Sequence, residues 1–96
     1  MPKGYVIGQI TITKPEGYPA YVAKVGPVLE KFGAHFLVRG GQQQVFEADA
    51  VGERTVIVEF PSYEKALEWY NSDDYAEAKS MRMAASTSVQ TIVEGV

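Results

Sequence analysis

The chain has no cysteine and a single histidine among its 96 residues. Disulfide frameworks, thiol nucleophiles, iron–sulfur clusters, zinc fingers and multi-histidine metal sites therefore lack ligands within one chain, and no metal is expected. Positive charge is also scarce. Nine lysines and arginines stand against 12 acids, for a formal charge of −3, and the basic residues nowhere cluster. The concentrated field that nucleic-acid phosphates require is missing, so DNA and RNA are not expected partners. No apolar run is long enough for a membrane span or a secretory leader, which makes a cytoplasmic location the expectation. What is present is the balance of a folded chain: 46% hydrophobic and 22% charged residues, with nine glycines and five prolines. Residues 1–96 make one small domain, which buries only about 60–65% of its unfolded surface and gains from self-association.

Local patterns divide the chain into alternating strands and helices. Tyr5 to Thr13, YVIGQITIT, is rich in β-branched residues and bounded by Gly4 and Lys14-Pro15, which predicts a first strand. Tyr18, Tyr21, Val22, Val25, Val28, Leu29 and Phe32 then recur at helical spacing, with Gly33 at the stop and Pro27 expected to bend the second half. Ala34 to Arg39 reads as a strand ended by Gly40-Gly41. Gln43 to Ala48 reads as a short returning arm before a turn at Asp49 to Gly52. Arg54 to Phe60 is the strongest strand. Ser62 follows as the N-cap of a helix whose expected buried stripe is Tyr63, Ala66, Leu67 and Tyr70. Ser72 caps a third helix with Asp73 and Asp74 in its first turn, running to Ala85, and Ser88 to Glu94 closes the pattern. The order is β-α-β-β-α-β with its second helix broken, an α+β, ferredoxin-like plan with an antiparallel sheet.

Strand alternation assigns two faces. Val6, Ile10, Ile12, Phe36, Val38, Val56, Val58, Phe60, Val89 and Val93 form the expected helix-facing side. The other side collects Tyr5, Ile7, Gln9, Thr11, His35, Leu37, Arg39, Thr55, Ile57, Glu59, Gln90, Ile92 and Glu94, so each strand contributes an aliphatic residue to it. Leaving Ile7, Leu37, Ile57 and Ile92 in water forgoes roughly 1.5–3 kcal/mol apiece. A second copy of the same sheet is the simplest cover, giving a homodimer whose sheets close into a barrel.

Separated motifs then occur in a recognisable order: Phe36-Leu37-Val38-Arg39-Gly40-Gly41, Val56-Ile57-Val58-Glu59-Phe60-Pro61-Ser62, Trp69-Tyr70-Asn71-Ser72 with Tyr75, and Arg82. Taken together they resemble the domain-of-unknown-function family 1330, a branch of the dimeric α+β barrel superfamily, over essentially the whole chain. The resemblance implies a homodimeric ferredoxin-like barrel. It implies no reaction, because that superfamily includes cofactor-independent monooxygenases, muconolactone-type isomerases and haem-degrading enzymes. One departure is Lys14, which stands where the family usually offers an acidic cap before the first helix.

Candidate chemistry centres on a pocket between sheet and helices for a small polar or anionic organic molecule. His35 is the one side chain with an ordinary pKa near neutrality, and is the candidate catalytic base for cofactor-independent proton transfer or oxygenation; its plainer role is a hydrogen bond at the interface. Arg39 is suited to gripping a carboxylate through two parallel hydrogen bonds, or pairs with Glu59. Tyr5, Gln9, Glu59 and Trp69 complete the candidate lining, with Trp69 read as lying off the core stripe. Tyr75 and Arg82, seven apart, share a helical face where the charge needs a partner, either a ligand anion or a carboxylate. Ser72 is a ligand candidate or simply a helix cap. The competing reading is a non-catalytic dimer that binds a ligand or serves as an interaction module. A cavity below about 300 Å³, filled by its own side chains, would argue against a ligand.

Overall fold

The computed structural model describes residues 2–47 and 52–96. Strand β1 (Gly4–Ile12) alternates buried and half-buried residues, as a strand with one packed face must. A single 3-10 turn at Pro15–Gly17 leads into helix α1 (Tyr18–Lys31). Lys14 caps nothing with its side chain; instead the backbone amides of Thr13 and Lys14 both donate to Ala85 O, at 2.9 and 3.0 Å, and fix the entry of α1 against the end of a later helix. Pro27 removes the bond to the Ala23 carbonyl, yet α1 continues past it to Lys31. Gly33, at φ +72°, then turns the chain with a left-handed residue.

Strands β2 (His35–Arg39) and β3 (Arg54–Phe60) follow, then helices α2 (Tyr63–Tyr70) and α3 (Asp73–Ala85) and strand β4 (Ser86–Glu94). Ser62 and Ser72 cap the two helices, accepting from Lys65 N at 3.1 Å and Tyr75 N at 3.2 Å. The four strands are all antiparallel, in the order β2-β3-β1-β4. The fold is thus the expected α+β, ferredoxin-like one. The expected arm at 43–48 is not a strand over its described residues. Ala48 to Val51 lie outside the described residues, and with them all of the expected turn except Gly52.

Three sequence expectations are corrected by packing. In β4 the faces are exchanged: Gln90 pairs with Gly8 and Ile92 with Val6, on the helix side, while Val89 and Val93 point to the open side. The cause is the junction with α3, which has no intervening residue. Ser86 is held under the helix end by donating its Oγ to Arg82 O at 2.6 Å, and that fixes the parity of the strand. In β2 a bulge between Phe36 and Val38 leaves Leu37 without an opposite residue. Phe36 keeps to the helix side, but Val38 opposes Ile57 on the open side and Arg39 opposes Val56 on the helix side. In α2 the buried residues are Ala66 and Trp69, while Tyr63, Leu67 and Tyr70 of the expected stripe are only half-buried. Trp69 lies in the core, 4.1 Å from the Tyr75 ring and 5.2 Å from that of Phe60, between centroids.

The open face carries no helix. Across it lie Val38, Ile57, Ile7, Val89 and Val93, of which Val38, Val89 and Val93 are 37%, 48% and 42% exposed. The residues differ from those expected, since Leu37 is the bulged residue and Ile92 packs in the core, but the face is still apolar.

Candidate functional site

Two recesses adjoin on the helix side of the sheet, and Gln90 lines both. Gly8 makes this possible: a Cβ at that position would stand 2.9 Å from Gln90 Nε2, so the missing side chain lets the amide lie over the strand. The inner cavity, between α1 and the sheet, has a volume of about 50 Å³. Tyr18, Tyr21, Trp69 and Tyr75 form much of its wall, and Arg39, Arg54 and Gln90 supply its polar groups. This space takes a carboxylate or carbonyl group and not the whole of a large ligand. The second recess is an open groove of about 310 Å³ lined by Tyr70, Arg82, Met83, Ser86, Ser88 and Gln90.

All three arginines of the chain line these recesses, and among the described residues none pairs with a carboxylate. The ion pairs found use lysine, Lys24 with Glu77, Lys31 with Asp74 and Lys65 with Glu68, and His35 Nε2 contacts Glu59, a pair that is ionic only when the imidazole is protonated. Arg39 is stacked on the Phe36 ring at 4.2 Å, and Arg54 lies 5.6 Å from the Tyr18 ring centroid. Gly40, at φ +68°, lets the turn after β2 press on the Arg54 guanidinium, which a Cβ would meet at 2.8 Å. Among the described residues three buried polar side-chain atoms have no hydrogen-bond partner: Arg54 Nε, Trp69 Nε1 and Arg82 Nε. All are donors. Arg54 and Trp69 line the inner cavity and Arg82 the groove, so each recess is bordered by a residue with a buried, unpartnered donor.

Arg82 donates Nη1 to Tyr75 Oη at 2.8 Å, and Tyr75 shares a 3.4 Å hydrogen bond with Tyr21 Oη. Burial, then the neighbouring Tyr21, push the Tyr75 phenol far above its ordinary pKa; the opposing pull of Arg82 is smaller. Tyr75 therefore stays protonated and can only donate or accept, not act as a phenolate. Burial also works against the Arg82 charge, but Tyr75 and the other phenols outweigh it, leaving its pKa raised and the group cationic.

The sequence candidates divide between the two faces. Arg39, Trp69 and Tyr75 meet at the inner cavity, and Arg82 lies in the groove. Tyr5, Gln9, His35 and Glu59 lie on the open face of the sheet and cannot share a pocket with them. There Glu59 accepts from Tyr5 Oη at 3.2 Å and meets His35 Nε2 at 3.0 Å, so Glu59 pairs with His35 rather than with Arg39. Burial, then the Glu59 hydrogen bond and charge, raise the Tyr5 pKa. Ser72 Oγ is committed to its helix, accepting from Tyr75 N and donating to Trp69 O at 2.7 Å. Sequence reading passed over Arg54, although its parity with Val56, Val58 and Phe60 puts an arginine on the apolar face of β3. Tyr18 and Tyr21 read in sequence as helix core alone, and alternation sets Gln90 on the open face of β4, opposite to where it lies.

A model of a family described as a domain of unknown function, DUF1330, matches residues 3–96. No curated protein matches. Among solved structures, a protein of unknown function from Rhodopseudomonas palustris superposes with a TM-score of 0.78 at 23% identity, covering 99% of this chain and 83% of that one. SnoaB, a cofactor-independent oxygenase from Streptomyces nogalater, superposes at 0.62 with 8% identity, over 97% of this chain and 92% of that one. A hypothetical protein from Arabidopsis thaliana gives 0.64 at 11% identity, over 97% and 85%. At these identities the likeness is one of fold, that of the α+β barrel proteins.

Proposed function

The chain belongs to the DUF1330 family, and on that premise we propose that it is a homodimer, paired through the open sheet faces, which binds a small anionic organic molecule between the sheet and helices of each subunit. The observation that carries the ligand is the surplus of donors at the inner cavity. Among the described residues Arg54 Nε and Trp69 Nε1 are buried without acceptors, and Arg39 stands beside them with no carboxylate. Leaving a buried donor unpaired costs about 1–3 kcal/mol, which an entering carboxylate or carbonyl oxygen would offset. At about 50 Å³ the inner cavity is far below the mark of about 300 Å³, so its size argues against a ligand and for the plain interaction dimer; the ligand reading rests on the unpaired donors alone and is confined to a molecule that inserts a small oxygen-bearing end.

The dimer rests on the open apolar face. Ile7, Ile57, Val38, Val89 and Val93 make a continuous patch, and a second copy satisfies it symmetrically. A second reading, cofactor-independent proton transfer with His35 as base, is favoured by the hydrogen-bonded chain Tyr5–Glu59–His35, which would orient the imidazole. It requires a substrate on the sheet face between subunits and not in the inner cavity. Native mass spectrometry of the freshly purified protein tests both parts of the proposal. A dimer carrying a defined small-molecule mass that is lost in Arg54→Met supports it. A monomer removes the paired sheets, and a dimer that neither retains a mass nor takes up small carboxylates removes the ligand.

A further inference from the structure

The groove between α3 and β4 is built around Arg82, which is 3% exposed and is the buried charged residue of the described chain. A guanidinium withdrawn from water needs acceptors and a counter-charge. Tyr75 gives Nη1 a neutral acceptor and the Tyr70 phenol also reaches the guanidinium, leaving Tyr70 only its ring for the apolar flank, while among the described residues Nε has no acceptor. The α3 carboxylates that form ion pairs are turned elsewhere, Asp74 to Lys31 and Glu77 to Lys24. No acid lines the groove. Lys79 Nζ lies 4.5 Å over the Tyr70 ring and donates to Tyr70 O at 3.2 Å, so a second positive charge stands against that residue. Met83, 59% exposed, and Tyr70 give the groove an apolar flank.

We propose that this groove is a binding site for a small organic carboxylate, separate from the inner cavity. The carboxylate meets Arg82, where a planar acceptor matches the guanidinium edge, and the carbon body lies along Met83 and Tyr70. The apolar flank favours an organic acid over inorganic phosphate, which has no carbon body to place there. A volume of about 310 Å³ accommodates a body the size of an aromatic ring. The site shares only Gln90 with the inner cavity, so it stands whether or not that cavity is occupied.

Benzoate is the probe, titrated into the intact protein and followed by the Met83 methyl and the Ser88 and Gln90 amide resonances. Saturable shifts at these three residues at roughly millimolar benzoate or below are expected, with none from benzamide. Ser88→Glu places a carboxylate in the groove at an exposed position; it should weaken benzoate at least about tenfold and raise the melting temperature by pairing with Arg82. Arg82→Met should also abolish binding, and if that variant does not fold, Ser88→Glu carries the test. Equal response to benzamide, no saturation, saturation by inorganic phosphate alone, or unchanged affinity in Ser88→Glu overturns the site. Shifts confined to Arg54 and Trp69 would place benzoate in the inner cavity, which also overturns it while supporting the function proposed above.

Discussion

Tyr75 shows how one hydroxyl can tie several properties together. It is fully buried, stacks on Trp69 and is the hydrogen-bond acceptor for Arg82. Tyr75→Phe keeps the ring and leaves the guanidinium without that acceptor, so at neutral pH urea denaturation should show a loss of about 1–3 kcal/mol. The same change should alter the alkaline limb. Because burial raises the folded-state pKa of Tyr75 above the ordinary phenol value, the folded protein holds a proton that the unfolded chain releases. Its contribution is complete below about pH 10 and is lost as pH rises further. Melting temperatures of Tyr75→Phe should therefore fall less steeply than those of the unmodified protein between about pH 9 and 11. Ser72→Ala removes a cap that Tyr75 N uses, and should cost about 1 kcal/mol in the same denaturation experiment without weakening carboxylate binding.

At the scale of elements, β2 shows both what alternation can reveal and where it stops. Parity put Phe36 correctly on the helix side, and one inserted residue, Leu37, reversed everything after it. Nothing in HFLVR marks the bulge, since it arises from pairing with β3. Deleting Leu37 should restore a regular ladder with Val38 still opposite Ile57 and Arg39 still opposite Val56. The deletion should thus preserve the circular-dichroism spectrum and benzoate affinity, whereas a variant unable to fold would show that the bulge is structurally required. Helices were legible because their caps and stops are local: Ser62, Ser72 and Gly33 act within a few residues of where they stand. The face of β4 was not. Val89 and Val93 look like core residues in sequence, and only the direct junction of α3 with Ser86 turns them outward. Arg82 and Tyr75 were legible from their spacing of seven on one helix, but Arg54 was concealed by being read as a strand boundary.

For the whole molecule, the apolar residues that β4 and β2 turn outward lie on one continuous face with Ile7 and Ile57. Val89→Lys puts a charge on that face at a 48% exposed position, so the isolated subunit should fold unchanged. In a two-fold assembly both copies would carry it, and light scattering should show association weakened by roughly a hundredfold or more, with the monomer as the main species at micromolar concentration. A mass unchanged from that of the unmodified protein would place the interface elsewhere. The helix-side recesses face away from this surface, so carboxylate affinity should survive in the monomer.

Strand β4 lies at the end of the order β2-β3-β1-β4, and its nine residues, STSVQTIVE, include neither lysine nor proline. Among the described residues nothing pairs with its outer edge, which leaves a row of amides and carbonyls open to another chain. So lightly guarded an edge is exposed to pairing with other chains whenever the fold loosens. If the sheet faces pair as proposed, a variant that loses that contact through a change outside β4 should cloud or form fibres on concentration sooner than its melting temperature would suggest, whereas Val89→Lys, which adds a lysine to β4, should stay clear in the same turbidity measurement.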